Sequence, residues 1–180
     1  IERFRKADLT VRVYDAAGHP TQDATVEIEM TRHAFDFGTA VALPRIVDPG
    51  PDDQRYREKL LANFNSVTTE NALKWTPWVN RMMPREDVVR ALEWMDRNGL
   101  EIRGHTAIWG GGQWIPDAVR EHEQDPAKVA ELTSEHLRDL LSFNRPWVDE
   151  WDILNEPYTR TWLIELLGRE AMIDWYEQSR

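Results

Sequence analysis

The chain contains no cysteine, which excludes disulfide staples and thiolate metal sites and leaves the redox compartment open. No apolar run approaches the roughly 20 residues that a membrane-spanning helix needs. The opening residues IERFRKADLT lack the pattern of a secretory leader, and the missing initiator Met reads as a processed or excised N-terminus. Basic residues are outnumbered, 22 against 32 acidic ones, for a formal charge of −10. That balance argues against nucleic acid or an anionic membrane as partner. No GxGxxG or GKS/GKT loop follows a strand-like segment, so nucleotide-binding folds lose support; Gly110–Gly112 lacks those companions and reads as a flexible loop. His122 and Glu123 are followed by Gln124, Asp125 and Pro126 rather than by a second histidine at helical spacing. Metal-dependent hydrolysis is thereby excluded, and neither a metal nor a cofactor is expected.

What remains is a chain of ordinary globular make-up. With 180 residues, 41% hydrophobic and 30% charged, it can bury a core as one domain with room for a small appendage. Tryptophan is abundant, with nine copies. Trp serves both cores and flat platforms for sugar rings, so the count favours carbohydrate only mildly.

The hydropathy rhythm changes along the chain. Leu9, Val11 and Val13 alternate with polar residues, AAGHPTQDA supplies turn chemistry, and Val26, Ile28 and Met30 alternate again, which predicts a β-hairpin segment over 1–32. HAFDFGTAV (33–41) reads as a buried strand running into a loop. PDDQRYREKLLANF then predicts a helix with Tyr56, Leu60, Leu61 and Phe64 as its apolar positions. NSVTTEN (65–71) reads as a strand leading into a polar loop, and Arg85 to Asn98 as a helix closed by Gly99. EIRGHTAIW (101–109) predicts the third strand, Pro126 to Phe143 the third helix, WVDEWDILNE the fourth strand, and Trp162 to the end a last, mostly helical stretch. Strands alternating with helices imply a parallel sheet with right-handed crossovers. A (β/α)8 barrel needs roughly 250 residues, so these four units amount to half of one.

The segment WDILNEP (151–157) carries the clearest chemical signal. Trp151, Ile153 and Leu154 form a short apolar strand that delivers Asn155 and Glu156 at its C-terminal end, where barrels of this kind place their chemistry. A carboxyl beside an amide among tryptophans suits a proton donor to a glycosidic oxygen, since aromatic walls desolvate the acid and the amide can hold a sugar hydroxyl. The alternative at this point is a strand-ending glutamate that meets solvent.

Three segments weigh together: FNSVTTENALKW (64–75), IRGHTAIW (102–109) and WDILNEP (151–157). In order and spacing they resemble strand-end motifs of glycoside hydrolase family 10, the retaining endo-β-1,4-xylanases, and FDFGTAV resembles that family's first barrel strand. The resemblance covers residues 33–180 and implies the N-terminal half of a (β/α)8 TIM barrel, preceded by the hairpin segment. It implies that Glu156 is the acid/base and that Asn155 holds the 2-hydroxyl of the sugar at the cleavage point. Glu70, Asn71 and Lys74 would line the glycone subsites, with His105 and Trp109 flanking the sugar. Each has a structural alternative: a surface ion pair for Glu70 and Lys74, a core position for His105, packing for Trp109. Trp75, Trp78 and Trp114 read as packing, Trp114 with a possible sugar contact. A β-1,4-linked polysaccharide or oligosaccharide is the implied partner, and a polymer substrate implies secretion or a periplasmic location.

The chain departs from the family pattern twice. Trp109 is followed by Gly110 where the family has histidine, and the glutamine expected two positions on from that Trp's neighbour stands at Gln113. The family's nucleophilic Glu lies on a seventh strand, whereas a retaining mechanism needs two carboxyls about 5–5.5 Å apart. Asp152 is expected to be buried and hydrogen-bonded within its strand, which leaves no second candidate. The remaining half-barrel would have to be supplied in cis or in trans. The alternatives are a non-catalytic carbohydrate-binding protein and one half of a two-chain enzyme.

Overall fold

A computed structural model describes residues 8–180 and divides the chain into two compact units, Ile1–Arg32 and His33–Arg180. Residues 1–7 of the expected hairpin segment lie outside the described residues. The hairpin itself is reduced to its tip: a single antiparallel bridge joins Tyr14 and Pro20, and residues 8–32 form no strand. The turn chemistry is present. Asp15 Oδ1 accepts from the Ala17 and His19 amides at 2.9 and 2.8 Å, with Gly18 at φ 82°. The flanking apolar positions are exposed, Leu9 by 69% and Met30 by 72%. A two-stranded ribbon with no covered face gains too little burial to extend its ladder.

The second unit is a four-stranded parallel sheet in the order β1-β2-β3-β4: Gly38–Val41, Ser66–Thr69, Glu101–Trp109 and Glu150–Asn155. Helices fill the connections. After β1 come α1 (Leu43–Val47) and α2 (Pro51–Asn63); after β2, α3 (Trp75–Val79) and α4 (Arg85–Arg97). A 3₁₀ turn (Gly112–Trp114), α5 (Asp117–Arg120) and α6 (Pro126–Asn144) follow β3; α7 (Trp162–Leu167) and α8 (Glu170–Gln178) follow β4.

The longer helices form where sequence chemistry asks for them. Pro51 opens α2, with Asp52 and Asp53 facing the positive end of the helix dipole. In α4, Val88, Ala91, Leu92 and Met95 make the buried stripe, and Gly99 at φ 71° lets the chain turn so that Leu100 is buried under it. Asp125 caps α6 by accepting from the Lys128 amide at 3.1 Å, and Val129, Leu137 and Leu140 face the sheet side. Val67, Ile102 and Ile153 are buried on the sheet. Gly104 has no side chain because the Trp151 ring lies directly against it.

The buried first strand expected over 33–41 is confined to Gly38–Val41, and of these only Val41 is buried. The Asn65 carboxamide accounts for the difference. It donates to the His33 and Phe35 carbonyls at 3.0 Å each and accepts from the Phe37 amide at 2.6 Å, so this backbone bonds a side chain instead of a ladder.

Among the described residues, His136 is the one buried imidazole, and it ties a helix to the sheet. It stacks on Trp75 with centroids 4.6 Å apart, and its Nε2 donates to the Ala107 carbonyl at 2.9 Å, while its buried Nδ1 has no partner. Burial pushes its pKa down to about 4. The folded value lies below the unfolded one, so the unfolded chain takes up the proton first as pH falls. Stability is therefore expected to drop by about 3 kcal/mol between the ordinary 6.5 and about 4, then level off for this group. Asp139 and Asp152, lowered below 3.8, act in a more acidic window. Urea unfolding across pH 7 to 4.5 measures the slope, and His136→Gln should flatten it. An unchanged slope in that variant would contradict the assignment.

Candidate active site

The C-terminal ends of β2, β3 and β4 bring the candidate residues to one end of the sheet. After β2 the Glu70 amide donates to the Val41 carbonyl at 2.9 Å, and Glu70 and Asn71 stand exposed in the loop. The Lys74 amide then closes a turn onto the Asn71 carbonyl at 3.1 Å, which aims the lysine inward. Lys74 is only 6% exposed, so the surface ion-pair alternative does not hold. Its Nζ donates to Asn71 Oδ1 at 2.8 Å and lies 4.8 and 4.5 Å from the ring centroids of Trp109 and Trp114. Those two indoles stack at 5.0 Å and 8°, so Trp114 serves as the second wall of the lysine's seat. Burial lowers the Lys74 pKa, opposed by the charges of Glu70 and Glu156. The ammonium thus has one hydrogen-bond acceptor among the described residues, Asn71 Oδ1, and two carboxylates in its field, an arrangement ready to donate to sugar hydroxyls.

Midway along β3 the register with β4 shifts by one residue between His105 and Ile108. His105 lies opposite Asp152, and its Nδ1 is 2.9 Å from Asp152 Oδ2. The same carboxylate binds the Arg103 guanidinium, which reaches Glu150 at 2.8 Å as well. Burial pushes the Asp152 pKa up, but the hydrogen bonds from Arg103 and His105 outweigh it and the net direction is down. His105 is therefore a side chain held by a carboxylate, not a core histidine satisfied by backbone. Asp152, expected to be buried, is half-buried with this role. Its oxygens are occupied and it is no second catalytic carboxyl.

At the end of β4, Asn155 pairs in register with Trp109 and is half-buried, its side chain without a hydrogen bond among the described residues. Glu156 follows at φ 49°, a left-handed conformation that a non-glycine residue adopts at a cost of order 1–3 kcal/mol. The kink turns its carboxylate toward β3. Oε2 accepts from Trp109 Nε1 at 3.1 Å and from Thr159 Oγ1 at 3.3 Å, with Arg160 Nε at 3.6 Å. Oε1 has no partner among the described residues. The tryptophan surround expected of Glu156 is reduced to Trp109: Trp151 packs on Gly104, and the Glu156 side chain is 46% exposed.

Asn71, Lys74, Trp109 and Glu156 thus form one continuous line of contacts. His105 sits behind it, level with Thr69, whose Oγ1 accepts from the His105 amide at 3.0 Å. Sequence reasoning missed Thr159 and Arg160, although three consecutive glycines opposite them are a signal of close approach.

Comparisons with known proteins bear on the family and the fold. Residues 28–171 match the family model described as Glycosyl hydrolase family 10. The chain is 28% identical to the anti-sigma-I factor RsgI6 of Acetivibrio thermocellus, across 100% of its own length and 23% of that protein. It is 24% identical to endo-1,4-beta-xylanase 5 of Arabidopsis thaliana, across 98% of its length and 30% of that protein. Xylanase 10B from Thermotoga petrophila RKU-1, solved in complex with xylobiose, superposes with a TM-score of 0.65 at 19% identity, over 80% of this chain and 45% of that one. The chain therefore spans less than a third of these curated relatives and under half of the solved structure. The likeness is one of fold: the four parallel βα units are the N-terminal half of a (β/α)8 barrel.

Proposed function

The chain belongs to glycosyl hydrolase family 10, and from that premise we propose that it carries the acid/base half of a retaining hydrolase of β-1,4-linked xylan. Glu156 is the acid/base. In the first step the glycosidic C–O bond breaks as Glu156 gives its proton to the leaving oxygen and a carboxylate nucleophile bonds to the anomeric carbon. In the second, Glu156 takes a proton from water, whose oxygen displaces that carboxylate. The nucleophile comes from a second half-barrel, supplied in cis or in trans. Oε2 is occupied by Trp109 and Thr159, which leaves Oε1 as the atom that carries the proton. Glu70, Asn71 and Lys74 hold glycone hydroxyls, and His105, Trp109 and Asn155 surround the sugar at the cleavage point. A polymeric substrate places the protein outside the cytoplasm.

The single observation that supports this most is the contact line from Asn71 through buried Lys74 and Trp109 to Glu156. Lys74→Met removes the ammonium and keeps its bulk. Because a hydrogen bond to a charged group contributes about 1.5–3 kcal/mol, xylotriose binding by calorimetry should weaken about tenfold or more. Unchanged affinity would contradict the subsite. The second reading is a carbohydrate-binding protein without catalysis, favoured by the absence of a second free carboxyl beside Glu156 among the described residues, where Asp152 is engaged by Arg103 and His105. It predicts the same loss of binding by Lys74→Met and no hydrolysis under any reconstitution.

A further inference from the structure

The run Gly110–Gly112 plays no part in the chemistry so far, yet all three glycines lie against one residue. A Cβ on Gly110 would stand 2.5 Å from the Arg160 carbonyl oxygen, a distance that real Cβ atoms do not tolerate. A Cβ on Gly111 would lie 3.5 Å from the Arg160 side chain, and one on Gly112, at φ 64°, 3.6 Å from its NH1. The contact is fastened on both sides: the Leu163 amide donates to the Gly110 carbonyl at 3.3 Å, and Arg120 NH2 donates to the Gly112 carbonyl at 2.6 Å. Arg120 itself stacks over Trp162 at 5.2 Å. Within the loop after β4, the Thr159 and Arg160 amides both return to the Glu156 carbonyl, at 3.1 and 3.0 Å. The loop that carries the left-handed Glu156 is therefore seated in the glycine run, and Arg160 reaches back to the Glu156 carboxylate.

We propose that Arg160 is a positioning residue for Glu156, and that Gly110–Gly112 is the seat that admits it. The inference rests on the reading of Glu156 as the acid/base. Its physical content is that Arg160, Trp109 and Thr159 converge on Oε2, so that rotation of the carboxyl is arrested with Oε1 facing the substrate. The strained φ of Glu156 requires such outside support, because a left-handed non-glycine residue relaxes unless its surroundings hold it.

Two readouts test it. In the complete protein labelled with ¹⁵N, the Trp109 indole N–H reports whether Glu156 Oε2 is in place. Arg160→Gln should move that signal toward the position it takes in Glu156→Ala and raise its solvent exchange several-fold. Gly110→Ala, which must displace the Arg160 backbone, should do so more fully. A Trp109 signal unmoved by both variants overturns the proposal, and a folded amide spectrum for each variant excludes simple unfolding as the cause. In the complete protein, Arg160→Gln should lower kcat on xylan about fivefold with KM unchanged, the scale of one partly exposed ion pair. Gly110→Ala should cost more, since about 1 Å of misplacement can cost about a hundredfold. Arg160→Lys should recover most of the loss, and an aryl glycoside with a very acidic leaving group should lose less in its first step than xylan does. Parental kcat in Arg160→Gln on xylan would refute positioning. Full activity of Glu156→Gln would instead refute the reading of Glu156, and the inference with it.

Discussion

Replacing Glu156 with alanine in the complete protein, with strands five to eight present, is expected to lower hydrolysis of polymeric xylan by about 10²–10⁴-fold. The expectation comes from geometry. Glu156 steps off β4 into a left-handed kink, and its Oε2 is held by Trp109 and Thr159 while Oε1 is left without a partner. Protonation matters most when the departing oxygen is a poor leaving group, as in a polysaccharide. An aryl glycoside with a very acidic leaving group needs no proton at that step, so its glycosylation should survive the substitution far better. Steady-state rates on both substrates check the split. Polymer hydrolysis within a few-fold of the parent would show that the assignment is wrong.

The 180-residue chain expressed by itself is expected to release no sugar from xylo-oligosaccharides and to associate. Retention needs a second carboxyl about 5–5.5 Å from the acid/base. Glu70 sits in the loop beyond β2 and Asp152 is engaged by Arg103 and His105, so neither is free for attack at the anomeric carbon. Association follows from the sheet. β1 and β4 are its two edges, each with a row of backbone groups and a neighbour on one side only. Large apolar residues stand in water as well: Phe35 is 56% exposed, Tyr158 94% and Ile173 61%. Sedimentation and a reducing-sugar assay test both halves of the expectation. Turnover by a purified monomer would overturn it, while activity restored by a separately expressed second half would show assembly in trans.

The elements most legible from the amino-acid order were those with a full period of pattern. β3 spans the expected 101–109, and α2, α4 and α6 lie within a residue of the expected bounds, because proline, acidic first turns and Gly99 mark their ends. The short helices α1, α3 and α5, of four or five residues, are too brief to show helical periodicity. The hairpin was over-read since alternation promises a strand only where something covers its apolar face, and the exposed Leu9 and Met30 have no such cover. At the site, Asn155 and Glu156 were legible as a pair at the end of a strand, and the resemblance of three motifs to glycoside hydrolase family 10 implied Glu70, Asn71, Lys74, His105 and Trp109 beside them. Their partners were not readable. The burial of Lys74 against a stacked pair of indoles, the grip of Asp152 on His105, and the approach of Arg160 to Glu156 all join residues far apart in the chain or across a kink, and no local pattern encodes them.

The stereochemistry of azide rescue isolates the role of Glu156 as the acid/base of a retaining reaction. In the complete protein carrying Glu156→Ala, azide enters the space left by the carboxyl and attacks the glycosyl-enzyme formed from an activated aryl xyloside. It displaces the nucleophilic carboxylate and leaves a xylosyl azide. Proton NMR of that product should show the β configuration, as retention demands when the missing group is the acid/base. An α-configured azide would assign Glu156 as the nucleophile, and the absence of any azide product from an otherwise folded, substrate-binding variant would contradict the role altogether.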